Sequence, residues 1–535
     1  MTTRVLMIYP RFTPNSFWGY ERARALLGAR YPAAPLGLIT VAAMLPKDWE
    51  IRLVNRNTEE LKTDDLAWSD LVMAGGMLAQ QFDMLTVIEL AHAAGKPIVL
   101  GGPDVTSSPQ IYQSADFRVH GEAESVIDDF VAAWNSGDRS GDFIAPKFQA
   151  DVTKTPIPRY DLLTFRHYMY LGVQFSRGCP FTCEFCDIIE LYGRAPRTKT
   201  PQQVLAEMDA LYAAGYRGHL DFVDDNLIGN KKAVKLFLPH LIAWQKQHNY
   251  PYLLSTEASL NLSDDPDLLR MMREANFFVV FMGIESPDPD TLRQTQKKQN
   301  TRRSIPDSIH RIYGYGLSVI AGFVVGFDEE KDGVADAMVA CIEEAAIPVG
   351  MVSLLYALPN TQLTRRLAAA GRLRAQPGVD LSGRAGDACL DGLNFETLRP
   401  RADVLADQAE VLTRIYDPAA FFGRVRRMLF ALDRHKLGVH VGVRDALREI
   451  DRFARIMWHV ITQRPDMRGH VVKLIIEIML RRPHVIRDLM VAVVFFVDLG
   501  PLSRFVAAHR KTEIAELRSR TSPAVEPAIA AARRA

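Results

Sequence analysis

Cysteine is scarce: the chain has 535 residues and five cysteines. So small and odd a number gives no disulfide framework and excludes a stapled secreted scaffold. Net charge is nearly absent, with 64 Lys plus Arg against 63 Asp plus Glu, so the whole chain has no electrostatic claim on nucleic acid. Long hydrophobic runs are missing as well. The longest uncharged apolar stretch near the end, Leu489–Val497, would make about 14 Å of helix against a hydrocarbon core of about 30 Å, so no transmembrane helix is expected. The opening residues lead into a strand-like Val5–Pro10 without a signal-peptide core. A cytoplasmic protein is expected, with any membrane contact peripheral and on the inner face.

What is present is a globular composition: 48% hydrophobic and 24% charged residues fill buried cores and exclude global disorder. At about 150 residues per domain the length predicts two to four domains. Over 1–140, short apolar runs (Val5–Tyr9, Ile51–Val54, Leu71–Ala74, Ile98–Leu100, Phe117–His120) alternate with helix-like segments, the rhythm of a doubly wound parallel α/β sheet. Strands there end in Gly75-Gly76-Met77, Gly101-Gly102-Pro103 and Gly121-Glu122. Ligands of such folds lie beyond the carboxyl ends of the strands, so these loops are candidates, although none forms GxGxxG and tight turns account for each equally well. Residues 141–169 read as a polar linker. Over 170–378 six strand-like runs, from Gly172–Ser176 to Gly350–Tyr356, alternate with helices and predict a complete or partial α/β barrel. Helical patterns fill 379–520, and 521–535 is a polar tail.

Three of the five cysteines fall in Ser176-Arg-Gly-Cys179-Pro-Phe-Thr-Cys183-Glu-Phe-Cys186, directly after the first strand of the barrel region. A cubane iron–sulfur cluster normally takes four thiolates. Three leave one iron open for an exogenous ligand. Zinc is the rival, since Cys183-x-x-Cys186 has the right bite, but no second CxxC or paired histidine follows at zinc-finger spacing. Cys341 and Cys389 read as structural or incidental.

The CxxxCxxC loop on an α/β barrel resembles the radical S-adenosylmethionine (SAM) superfamily over roughly residues 170–375. That resemblance implies that Cys179, Cys183 and Cys186 hold a [4Fe–4S] cluster whose open iron chelates SAM. Electron transfer from a donor such as flavodoxin or ferredoxin then cleaves SAM to a 5′-deoxyadenosyl radical. Phe185 matches the hydrophobic position near adenine. Asp224 and Asn226, in Phe222-Val-Asp-Asp-Asn226, stand where the family often has GGE, a departure from its pattern. Glu257 and Glu285 are carboxylates at strand ends where the SAM ribose or ammonium could bind, and solvated loop acids are their plain alternative. Val324 matches the adenine-stacking strand, which a packed barrel strand explains as well.

A Rossmann-like domain ahead of such a barrel resembles the cobalamin-dependent branch of the superfamily. By that resemblance Gly75, Gly76, Met77, Gly101, Gly102, Pro103, Gly121 and Glu122 contact cobalamin. The chain lacks DxHxxG, and His92 reads as structural, so the cobalamin is expected without a protein imidazole. The implied reaction is methyl transfer to an unactivated carbon. With its long helical extension the chain looks most like the bacterial hopanoid C-2 methylases, which implies a hopanoid lipid substrate methylated on ring A. A natural-product methylase, a tetrapyrrole oxidative cyclase and a non-catalytic cobalamin or lipid sensor are the alternatives. The near-zero charge hides an asymmetry: residues 401–535 carry 24 Lys plus Arg and 15 Asp plus Glu. This basic, apolar-striped end suits either an anionic membrane surface or a cap packed on the barrel.

Overall fold

The structure, a computed structural model, describes residues 2–14, 16–374, 392–434 and 443–521. Cys389 and most of the polar tail lie outside them. In chain order the strands of the first region are β1 (Arg4–Tyr9), β2 (Tyr31–Ala33), β3 (Glu50–Asn55), β4 (Leu71–Gly75), β5 (Ile98–Gly101), β6 (Phe117–His120) and β7 (Gly141–Ile144). All but β2 form one parallel sheet in the order β3-β1-β4-β5-β6-β7. The central strands are apolar throughout, as burial on both faces demands. This is the flavodoxin-like order with one strand added. β7 corrects the expected linker: Gly141–Ile144 is an edge strand, paired to β6 from Phe117↔Gly141 to His120↔Ile144. Its outward Ile144 and polar neighbours disguise it in the sequence.

The second sheet holds β8 (Tyr168–Val173), β11 (Gly218–Phe222), β12 (Tyr252–Glu257), β13 (Phe277–Glu285), β14 (Ser318–Val325) and β15 (Val349–Leu354), all parallel. The partial six-stranded barrel is therefore present, and β2 adds a seventh strand at the edge of β8. The first barrel strand begins at Tyr168 rather than Gly172, inside the expected linker. A two-stranded hairpin, β9 (Ser176–Arg177) with β10 (Arg197–Thr198), brackets the cysteines.

A half-barrel leaves one side of its sheet open. Here the helix Glu21–Leu27 and the 36-residue helix Ile486–Thr521 contribute to that side. Asp498 of the long helix accepts from the backbone N–H of Arg22 at 2.8 Å and of Ala23 at 3.4 Å, satisfying donors that a helix start leaves unpaired. The fully buried Arg424 donates to Ile347 O at 2.8 Å and pairs with Glu343, tying the C-terminal helices to the barrel. The long helix corrects the expectation drawn from its nine-residue apolar run. The stretch Pro483–Ser519 is long and apolar enough to cross a membrane by length and composition, and 67% of its apolar window is buried. It packs on the helix Arg401–Ile415 as a core helix does.

Candidate active site

The cysteine loop is held from several sides. Gly178 has φ +95°, and a Cβ there would stand 2.9 Å from Gly193 O and 3.2 Å from Tyr192 O, so only glycine fits without displacing backbone. Its N–H donates to Asp225 at 2.9 Å, and Cys179 N–H donates to Gly193 O at 3.2 Å. Within the loop, Glu184 forms an ion pair with Arg366 at 2.8 Å. Gly178→Ala is expected to lower the iron bound after reconstitution at least several-fold, since φ and contact both oppose it. Iron and sulfide content report this directly.

The three thiols are free, with Cys183 buried. Burial raises the thiols of Cys179 and Cys186, the latter further through Asp187, so thiolates form here when a cationic centre is bound. The Nδ2 group of Asn226 lies 3.9 Å from Cys179 Sγ, and Nε2 of Gln299 lies 3.6 Å from Cys183 Sγ, both as donors to sulfur. Among the described residues no three His, Cys, Asp or Glu converge on a single ion. A cubane instead spreads its thiolates over separate irons. Three free thiols with amide donors beside two of them fit a cluster with one open iron.

The expected SAM residues surround this loop at the carboxyl ends of the strands, in different states. Asp224 is buried and engaged: it accepts from Phe175 N at 3.0 Å, from Ser176 Oγ at 2.5 Å and from Ser176 N. Burial pushes its carboxyl up to about 7. In this structure it holds the strand-to-loop turn, a positioning role. Asn226 also meets Ser259, donating to its Oγ at 3.1 Å. Glu257 is reached by solvent, yet the surrounding protein and the carboxylates of Asp221 and Asp225 push it up to about 8. Glu285 sits at φ +65° at a register shift between β13 and β14, and accepts from Lys297 Nζ at 2.6 Å. Gly283 leaves room for that pair, because a Cβ there would lie 2.3 Å from Glu285 Oε1. Phe185 packs against Phe327, ring centroids 5.7 Å apart. Val324 lines a cavity of about 160 Å³ with Phe17, Trp18, Phe281 and Glu285.

Lys297, Gln299 and Trp18 carry no motif and were missed by the sequence reading. The first two belong to a polar loop after the helix Pro289–Gln294, and Trp18 arrives from the segment after β1, its ring 5.4 Å from Phe281. Only their late convergence on Cys183 and the cavity marks them.

In the first domain the glycine loops lie at the carboxyl edge of the sheet as expected. Gly75 and Gly102 are required by their own packing: a Cβ on Gly75 would come within 3.0 Å of Gly101 O, and one on Gly102 within 3.1 Å of Gly76 N. Met77 is exposed beside them, and Pro103 opens a short helix. Gly121 borders a cavity of about 530 Å³ shared with Glu190 and Leu191, which follow the cysteines. Glu122 lines the same cavity. Its buried carboxylate pairs with Arg177 at 3.2 Å and Arg197 at 2.7 Å, so it clamps the first domain to the hairpin around the cysteines. His92 binds Asp116 at 3.0 Å beside the amino end of β6, the opposite edge from the glycine loops, and is structural.

A parallel half-barrel with three free thiols in the loop after its first strand defines a radical SAM enzyme. The model of the radical SAM superfamily matches residues 173–340, and that of a domain of unknown function, DUF4070, matches 361–512. The chain is 45% identical to an uncharacterized methyltransferase of Synechocystis sp. over 81% of its own length and 80% of that protein. It is 37% identical to the hopanoid C-2 methylase of Rhodopseudomonas palustris, over 79% and 78%. The solved structure of the cobalamin-dependent S-adenosylmethionine radical enzyme OxsB with aqua-cobalamin shares the fold, with a TM-score of 0.59 at 14% identity, covering 97% of this chain and 84% of that one. The chain belongs to the radical SAM methyltransferases.

Proposed function

We propose that this enzyme is a cobalamin-dependent C-methyltransferase that adds a methyl group to an unactivated carbon of a hopanoid lipid, C-2 of ring A. The observation that carries the reading is the 37% identity to the hopanoid C-2 methylase over most of both chains. The cavity of about 160 Å³ beside Val324 presents Phe17, Trp18 and Phe281, an apolar lining for one end of a hydrocarbon substrate. When bound, the cluster with SAM supplies a hydrogen-abstracting radical and the cobalamin carries the methyl group.

The chain's own residues bind, orient and exclude. Cys179, Cys183 and Cys186 would hold the cluster, with Asn226 and Gln299 donating to sulfur. Phe185, Asn226, Glu257, Glu285 and Val324 are proposed to receive SAM, with Asp224 fixing the turn beneath it. Lys297 Nζ holds the Glu285 carboxylate in place at 2.6 Å. The carboxyl-edge loops Gly75–Met77 and Gly101–Pro103, with Gly121 and Glu122, would hold the cobalamin; His120, which lines the same cavity, is paired with Asp142 at 2.8 Å. Phe17 and Trp18 form the apolar side of the cavity. The reconstituted protein, given methyl-labelled SAM and a desmethyl hopanoid, is expected to yield labelled 2-methylhopanoid with 5′-deoxyadenosine. SAM cleavage with an unlabelled hopanoid would overturn the substrate.

A lipid substrate also needs a route from the membrane. The helix Val443–Gln463 exposes Leu447, Ile450, Trp458 and Ile461 along one stripe, each between 50% and 71% accessible, with Arg455, paired to Asp451, on its flank. The helix Arg468–Arg481 exposes Ile476, Met479 and Leu480. These features support peripheral binding of an anionic surface by the basic end of the chain. Ile450→Glu with Trp458→Glu is expected to cut sedimentation with phosphatidylglycerol vesicles at least tenfold while leaving SAM cleavage intact. Unchanged sedimentation would assign the stripe elsewhere.

A further inference from the structure

Below the mouth, alternate residues of the barrel strands face inward. Along β11 these are His219, Asp221 and then Val223, on β8 Tyr170, and on β12 Ser255 and Glu257. Asp221 and Ser255 are register partners, and Ser255 Oγ donates to Asp221 Oδ1. His219 Nε2 lies 2.6 Å from the same Oγ. Because Ser255 gives its proton to Asp221, its oxygen accepts from His219, which places the imidazole proton on Nε2 and leaves Nδ1 an acceptor. The Tyr170 ring stands 5.1 Å from the imidazole.

This network has no part in holding the cysteine loop. Polar groups in a barrel interior are costly unless paired. Tyr170, His219 and Asp221 are partly accessible, and among the described residues Tyr170 OH, His219 Nδ1 and Asp221 Oδ2 make no hydrogen bond within the protein, so they are open to a ligand. The wall above is apolar, with Phe281, Val324 and Met351 lining the cavity next to Glu285. From His219 to Val223 is four residues, about 13 Å of strand at ~3.3 Å each.

We propose that Tyr170, His219, Asp221 and Ser255 form a binding site for a hydroxyl group at the far end of an elongated hydrocarbon substrate, whose opposite end lies at the barrel mouth. The site rests on the lipid reading above and adds orientation to it. The substrate enters polar end first, its hydroxyl accepting from Tyr170 and donating to His219 Nδ1 or Asp221 Oδ2, so that the carbon remote from the hydroxyl is presented to the radical. A site built to pair a hydroxyl rejects the analogue that lacks it far more strongly than an apolar pocket rejects a missing methylene.

The test uses the reconstituted full chain and two pentacyclic triterpenoids that differ only by a side-chain hydroxyl. Wild type is expected to methylate the alcohol with kcat/KM at least tenfold above the hydrocarbon. Tyr170→Phe and Asp221→Asn should each reduce that preference at least threefold through KM for the alcohol, and Tyr170→Phe should leave cluster absorbance and the rate on the hydrocarbon unchanged. Equal kcat/KM for both lipids in wild type, or an undiminished preference in both variants, overturns the site. If neither lipid is methylated, the substrate reading fails and quenching of tryptophan fluorescence by each lipid decides the site separately. Tighter binding of the alcohol that is lost in Tyr170→Phe sustains it, and equal binding overturns it.

Discussion

Cys183→Ala takes the iron–sulfur absorbance and 5′-deoxyadenosine formation to background. The three thiols of the loop are the proposed ligand set, and Cys341 offers no replacement. Cys341 is buried on the helix Val334–Glu344, where burial pushes its thiol up to about 12, and Cys389 lies outside the described residues. Cys183 is also the buried member of the set, with Gln299 donating to it and Lys297 made more basic by Glu285 and by the Cys183 thiolate against the opposing effect of burial. Visible absorbance, iron content and product analysis check the result. A variant that keeps the brown chromophore and cleaves SAM would sink the assignment.

Glu122→Ala is expected to be the most disruptive change outside the cysteines. The carboxylate is buried between Arg177 and Arg197, one on each strand of the hairpin that carries the cysteine loop. Removing one member of a buried ion pair leaves an uncompensated charge and costs about 3–5 kcal/mol. Arg177 keeps Glu124 at 2.6 Å, whereas Arg197 keeps only carbonyl acceptors, Ala150 O at 2.9 Å and Tyr192 O at 3.1 Å. The denaturant midpoint should fall and bound iron should fall with it, because the same hairpin holds both. Loss of stability with full iron binding would show that the loop stands without the clamp.

Most of the fold was legible in the sequence because its signals are local. Apolar runs separated by amphipathic helices named eleven of the strands, and the N-caps and glycine turns lie within a few residues of the elements they end. The exceptions share one cause. β7 and β2 are short edge strands whose partners lie elsewhere in the chain, and Gly141–Ile144 reads as polar linker until Phe117–His120 is beside it. The long C-terminal helix escaped because Asp498 and Arg504 interrupt its apolar pattern. Asp498 is buried as a cap for the helix Glu21–Leu27, which no local pattern reveals.

The site divides the same way. The sequence by itself marked out the proposed cluster ligands, since three thiols within eight residues carry their chemistry in covalent spacing and need only a loop to display it. It also left His92 without the surrounding DxHxxG motif, and the structure pairs that histidine with Asp116. Tertiary structure alone decided that Glu122 clamps two domains, that Asp224 holds a turn, that Lys297 and Gln299 reach Glu285 and Cys183, and that Tyr170, His219, Asp221 and Ser255 share the floor of one barrel. The reason is physical. A carboxylate or an amide takes its role from whichever donor or sulfur the fold brings within about 3–4 Å, and here those partners are as far as 116 residues away along the chain.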